Sequence, residues 1–182
     1  MIWTTERAIP WSNTPPRVMR HHVMRYAWAM RYTAGRRVVD LGCGTGYGSY
    51  MLSWVARHVT GVEIDAKASV FAGQHFQAGN LAWRRMDLMN PGALPKADVY
   101  VAFEVLEHLD DPRVVIAALD APLVWSVPVR SVEKYHQHVY SIAQIRALVP
   151  GACAYQTYDG LIRLGVPSQA DNGYVLGFTG GD

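Results

Sequence analysis

The stretch RRVVDLGCGTGYGS, residues 36–49, carries an apolar run to an acid, Asp40, and then places glycines at 42, 44, 46 and 48. Glycine adopts dihedrals closed to other residues and lets a ligand lie against the main chain. Free amides at the start of a following helix would favour a negative group. Two more acids, Glu63 and Asp87, close the runs VTGVE and LAWRRMD. A carboxylate accepts two hydroxyl hydrogens side by side, which suits a vicinal diol. Four histidines, His22, His108, His136 and His138, fall where a site at strand tips could use them. Imidazole titrates near neutrality and can take a proton from a reacting hydroxyl. His108 is the first candidate base, because it closely follows the run VYVAFE, and His138 is the second. Glu107, His108, Asp110 and Asp111 form a run that could hold a divalent ion. A capped, solvated loop accounts for the same run, and no metal is assigned.

Two templates for glycine turns fail here. A P-loop needs Lys-Ser or Lys-Thr after its last glycine, but Gly46 is followed by Tyr47, Gly48 and Ser49. A dinucleotide fingerprint counted from Gly42 puts its third small residue at Tyr47, where a tyrosine opposes close helix–strand packing. A nicotinamide-dependent oxidoreductase is therefore disfavoured.

The motif VVDLGCGTGYGS resembles motif I of the class I S-adenosylmethionine-dependent methyltransferases, and further segments match in order. VTGVEID is similar to the second motif, RRMDLMN to the third, and ADVYVAFEVLEHLDDP to the strand-four segment of small-molecule and glycan methyltransferases. SVPVRSVEKYHQHVYSIAQIRAL is similar to the strand-five segment and the helix after it. ERAIP and HHVMRYAWA resemble an N-terminal block of one branch of these enzymes. The resemblance implies S-adenosylmethionine as cofactor, held by Asp40, Gly42, Cys43 and Gly44 at the bend. It gives Glu63 the ribose hydroxyls and Ile64 the adenine face. It gives Asp87, with Leu88 beside it, the adenine amino group, and adds Phe103 and Glu104 at the fourth strand tip. His22, Arg25 and Tyr26 become candidate contacts to the acceptor or the methionyl carboxylate. The function implied is methyl transfer to a small-molecule or glycan acceptor, at an oxygen, with anionic acceptors in view. The alternatives are a nucleic-acid methyltransferase and a catalytically inactive cofactor-binding partner or regulatory protein. Against nucleic acid, the fourth strand tip reads Phe103-Glu104-Val105-Leu106, not the Asn/Asp-Pro-Pro-aromatic of exocyclic-amine methylases. Relatives often carry a lid after strand five, and the short segment here implies an open acceptor site.

Such a site needs a scaffold, and the spacing supplies one. Strands alternate with helices of about ten residues from Arg36 to Val149, the pattern of a parallel α/β sheet. Ligands bind beyond the carboxyl ends of such strands. The expected fold is a Rossmann-like, doubly wound, seven-stranded sheet, mostly parallel with a C-terminal antiparallel strand. Its last two strands lie in ACAYQTYDG and NGYVLGFTG. Residues 1–35 read as an arm and a helix, and residues 36–182 as the cofactor-binding domain, forming one compact domain overall. In the N-terminal helix Val18, Val23, Tyr26, Ala27 and Met30 can share one face, with Gly35 closing it. Leu52, Val55 and Ala56 are the expected inward positions of the next helix. Asp111 and Ser141 are N-cap candidates.

The composition agrees with a single globular domain. The chain has 182 residues, half of them apolar and 18% charged, which argues against disorder. No stretch approaches the roughly 20 apolar residues of a membrane span, and the first residues hold no apolar leader. The expected location is the cytoplasm. With one of two cysteines, Cys43, inside the glycine turn, a disulfide is not expected. Net charge is +2, yet seven arginines precede Val38 against one acid, Glu6. That asymmetry suits an anionic partner, or simply a solvated helix face.

Overall fold

The computed structural model describes residues 8–12, 14–90, 92, 94–131, 136–165 and 173–180. Glu6 of the N-terminal motif and part of the segment after strand five lie outside them. Five strands form the parallel half of the sheet: β1 (Arg37–Leu41), β2 (His58–Glu63), β3 (Leu81–Arg85), β4 (Val99–Phe103) and β5 (Leu123–Pro128). Three more extend it antiparallel: β6 (Ala152–Gln156), β7 (Ile162–Leu164) and β8 (Tyr174–Phe178). The order across the sheet is β3-β2-β1-β4-β5-β8-β6-β7. Among the described residues the sheet thus has eight strands, not seven, and its antiparallel part is a group of three. The additional strand is β7, three residues that pair only with β6 and leave Leu164 72% exposed. So short and wet a strand has no apolar alternation to announce it.

Both faces of the parallel half are covered, as the near-continuous apolar strands require. On β4 the residues Val99, Val101 and Phe103 join one core, while Tyr100 and Ala102 join the other. The first core is sealed by α1 (Pro16–Thr33), α2 (Tyr47–Ser53) and α3 (Ala66–His75) through Tyr26, Ala29, Leu52 and neighbouring Phe76. The second is sealed by α4 (Pro112–Ala118) and α5 (Ile142–Leu148) through Val115 and Ile145. The caps fall where expected. Asp111 accepts from the Arg113 amide, and Ser141 forms a capping box with Gln144. Val55 lies beyond α2 and is 38% exposed, whereas Leu52 and Ala56 are buried.

The N-terminal helix presents a different face from the one the apolar spacing predicts. Val23 and Ala27 are exposed, and the buried set is Arg25, Tyr26, Trp28, Ala29 and Thr33. The reason is polar. Arg25 finds a carboxylate and an amide inside the protein, so the helix turns its charged residue inward. No described helix is long and apolar enough to cross a membrane. Cys43 and Cys153 are both free thiols.

Candidate active site

The bend after β1 takes positive φ at Gly42, Gly44 and Gly46. A Cβ built on Gly44 meets nothing within 4 Å, so a ligand can lie directly on the main chain there. Gly48 serves packing instead. A Cβ at that position would stand 1.9 Å from Cζ of Tyr26, whose ring packs against the start of α2. Tyr26 also donates toward Asp40, 3.2 Å from Oδ2, and Ser49 donates to the same oxygen at 2.6 Å. Asp40 is fully buried, and burial pushes its carboxyl up to about 7 against the pull of those two hydroxyls.

Glu63 ends β2 with both oxygens aimed at the bend's neighbourhood. Oε2 accepts the Gly44 amide at 3.0 Å and Oε1 the Asp65 amide at 2.9 Å. Each oxygen keeps a second lone pair for a hydroxyl. Beside it Ile64 is 53% exposed, an apolar side chain left as a flat seat at a strand end. Asp87 is exposed and caps the turn at the Met89 amide, 2.9 Å away, with Leu88 buried next to it. The donor set fits an adenosyl sulfonium: an open glycine bend, a carboxylate for a diol and an apolar seat.

A cavity of about 750 Å³ opens on the other side of the bend. Gly42, Cys43, Gly44, Phe103 and Glu104 wall it, as do His22, Arg25, Tyr26 and His108. The structure therefore gathers most of the expected residues around one space. Glu63, Ile64, Asp87 and Leu88 lie outside its walls. His138 is also outside. Its Nε2 lies 2.9 Å from the Leu109 carbonyl, and its ring stacks on Tyr140.

Arg25 does not point a free guanidinium at a ligand. It bonds Glu104, donates to Gln156 Oε1 at 2.7 Å, and lies 4.2 Å over the ring of Tyr174. Glu104 sits just past β4 at φ 55, strained for a non-glycine residue, and also accepts from the Tyr174 hydroxyl at 3.1 Å. His22 joins this network, with Nδ1 2.6 Å from the Tyr47 hydroxyl and Nε2 3.3 Å from Glu104. Burial, and then the Arg25 charge, hold His22 well below its ordinary range, so the ring is neutral. His108 and His136 meet edge to face, 4.8 Å between centroids, on the cavity wall. With buried Glu107 their donor atoms lie within 4.8 Å of one another, a set that could hold a metal ion. Asp110 and Asp111 are not part of it, and Asp111 pairs with Arg113 instead.

Sequence reasoning missed several wall residues: Arg17, His21, Tyr47, Arg130, Tyr158 and Tyr174. Tyr47 stood out only as an obstacle to another template. Gln156 was legible in principle, as the polar residue of the strand ACAYQ.

A model of the methyltransferase domain family matches residues 39–121. A probable S-adenosylmethionine-dependent methyltransferase of Mycolicibacterium smegmatis is 35% identical over 113 residues, covering 59% of this chain and 42% of that protein. A ubiquinone biosynthesis O-methyltransferase of Aromatoleum aromaticum is 32% identical over 120 residues, covering 59% and 50%. The chain thus spans half or less of the length of these curated relatives. Magnesium protoporphyrin IX methyltransferase of Synechocystis PCC 6803, solved with S-adenosylhomocysteine, superposes at a TM-score of 0.67 and 18% identity. That match covers 96% of this chain and 91% of the other. N-methyltransferase NodS of Bradyrhizobium japonicum also gives 0.67 at 18% identity, over 93% and 90%. At that identity the structures speak for the fold. Residues 39–121 thus match a methyltransferase domain, and the whole described fold is that of the class I S-adenosylmethionine-dependent methyltransferases.

Proposed function

We propose that this protein transfers a methyl group from S-adenosylmethionine to an oxygen of a small-molecule or glycan acceptor. One observation carries the reading: the glycine bend that Glu63 braces opens directly into the cavity walled by His108 and His136. Relatives support it, since one is a ubiquinone biosynthesis O-methyltransferase and a structural neighbour methylates magnesium protoporphyrin IX. The adenosine half would lie over Ile64 with its ribose on Glu63, and the methionyl half along Gly42 to Gly44 beneath Tyr26.

When bound, the cofactor supplies an electrophilic methyl on a sulfonium. The protein's residues then have three tasks. Glu63 and the bend fix the donor's position, an orientation effect that can reach roughly 7–11 kcal/mol in favourable cases. Buried Arg25, bonded to Glu104 and stacked on Tyr174, holds α1 over the bend. His108 takes the acceptor's proton at a ring nitrogen, with His136 against its ring. His138 braces the loop carrying His108 through the Leu109 carbonyl.

Calorimetric titration with S-adenosylhomocysteine and with NAD tests the reading; binding of the first and not the second is expected. His108→Gln should then bind S-adenosylhomocysteine like wild type while turnover on an identified acceptor falls about 10²–10⁴-fold. A wild-type protein indifferent to S-adenosylhomocysteine overturns the assignment, and unchanged turnover in the variant removes His108 as the base.

A further inference from the structure

The charged residues on the cavity wall do not cancel. Among the described residues it holds three permanent cations, Arg17, Arg25 and Arg130, and one acid, Glu104. Glu104 is committed to Arg25, which leaves two arginines with no acidic partner among the described residues. Both are exposed on the cavity's rim. A site meant for a neutral acceptor has no use for two unbalanced guanidinium groups.

Local structure points the same way. Arg17 stands in the first turn of α1, which contains no acidic residue. A cation there opposes the helix dipole, whose positive end sits at that terminus. An anion at the same place relieves both the free amides and the guanidinium. Arg17 is also oriented, with its guanidinium carbon 4.0 Å over the ring of Tyr158. Stacking of that kind fixes the planar fork that grips carboxylates and phosphates bidentately. Arg130 follows β5 at φ 51, a left-handed backbone that a non-glycine residue rarely takes. Its amide is pinned to the Tyr140 carbonyl at 2.9 Å, and the preceding Val129 amide to Gly173 at 2.8 Å. Backbone strain held this way gathers at ligand clamps.

We propose that the methyl acceptor is an anion, bearing a carboxylate or a phosphate monoester, and that Arg17 and Arg130 grip that group at the cavity rim. The inference rests on the preceding assignment of the cavity to the acceptor. It makes these two arginines specificity-determining residues and leaves His108 facing the reacting hydroxyl.

The test uses protein saturated with S-adenosylhomocysteine, titrated with phenyl phosphate, benzoate and uncharged benzyl alcohol. At least one anion should bind about tenfold tighter than benzyl alcohol, weakening as salt is added. Whichever anion binds identifies the group. Arg17→Gln and Arg130→Gln should each lose about tenfold of that affinity and keep the wild-type affinity for S-adenosylhomocysteine. Anions that bind no tighter than benzyl alcohol, or that bind both variants as they bind wild type, overturn the proposal. Failure of wild type to bind S-adenosylhomocysteine overturns the methyltransferase reading itself, and this one with it.

Discussion

Strands β1, β2, β4 and β5 pair in parallel and bury apolar side chains on both faces, whereas β6 to β8 pair antiparallel and meet α1 through a polar network as well as apolar contacts such as Tyr32 on Phe178. Gln156 of β6 shows the second style. Its amide nitrogen donates to the carbonyls of His21 and Gly160, at 3.0 and 2.9 Å, while its oxygen accepts from Arg25. The parallel half is held by apolar area, which is non-directional and tolerant of exchange. The antiparallel half adds to its buried Ala154, Val175 and Leu176 a set of hydrogen bonds and one buried charge, which fix geometry and fail sharply when a partner is removed. The first half carries the glycine bend and Glu63. The second half contributes Tyr158, Gly173 and Tyr174 to the cavity wall, beside α1.

The sharpest way to break that contrast is at its joint. Arg25→Ala removes the buried cation and strands Glu104 and Gln156, so stability should fall by about 3–5 kcal/mol in denaturant titration. An unaltered midpoint would mean that the polar joint holds nothing together. A subtler probe lies in the parallel half at Asp40. Its carboxyl moves from 3.8 to about 7 on burial, so between those values the folded chain binds more protons than the unfolded one. Stability from this group is fully present below 3.8 and declines as pH rises toward about 7. The difference between wild type and Asp40→Asn, followed by thermal unfolding, should slope in that window and be flat above it. A flat difference throughout would place the proton elsewhere. The smallest effect is expected at Ile64, which is 53% exposed. Ile64→Ala should leave the melting temperature unchanged and weaken S-adenosylhomocysteine binding only a few-fold, about 1 kcal/mol or less. Unchanged affinity would show that the adenine does not rest there.

What could be read from the sequence follows the same division. The glycine bend, the acids at 40 and 63 and the strand–helix alternation are local patterns with a fixed period, and each falls where its spacing put it. Asp111 and Ser141 cap helices because capping needs only neighbours three residues apart. The helix face carrying Arg25 could not be found that way. Its partners lie 79 and 131 residues further along the chain, and an arginine in a helix reads as solvated until those partners are known. β7 and the rim residues Arg17, Arg130 and Tyr158 failed for the same reason, being defined by assembly of distant loops. Asp87, expected to meet an adenine amino group, ends the run after β3 with Oδ1 accepting the Met89 amide.

The contact between Gly48 and the Tyr26 ring has a consequence for descent. The aromatic disc occupies the volume a methyl at 48 would need. The two positions are therefore one heritable unit: a homologue that gains a side chain at 48 must shrink or re-aim residue 26. Paired change at these sites across related genomes would mark every lineage in which the N-terminal helix still lies over the bend.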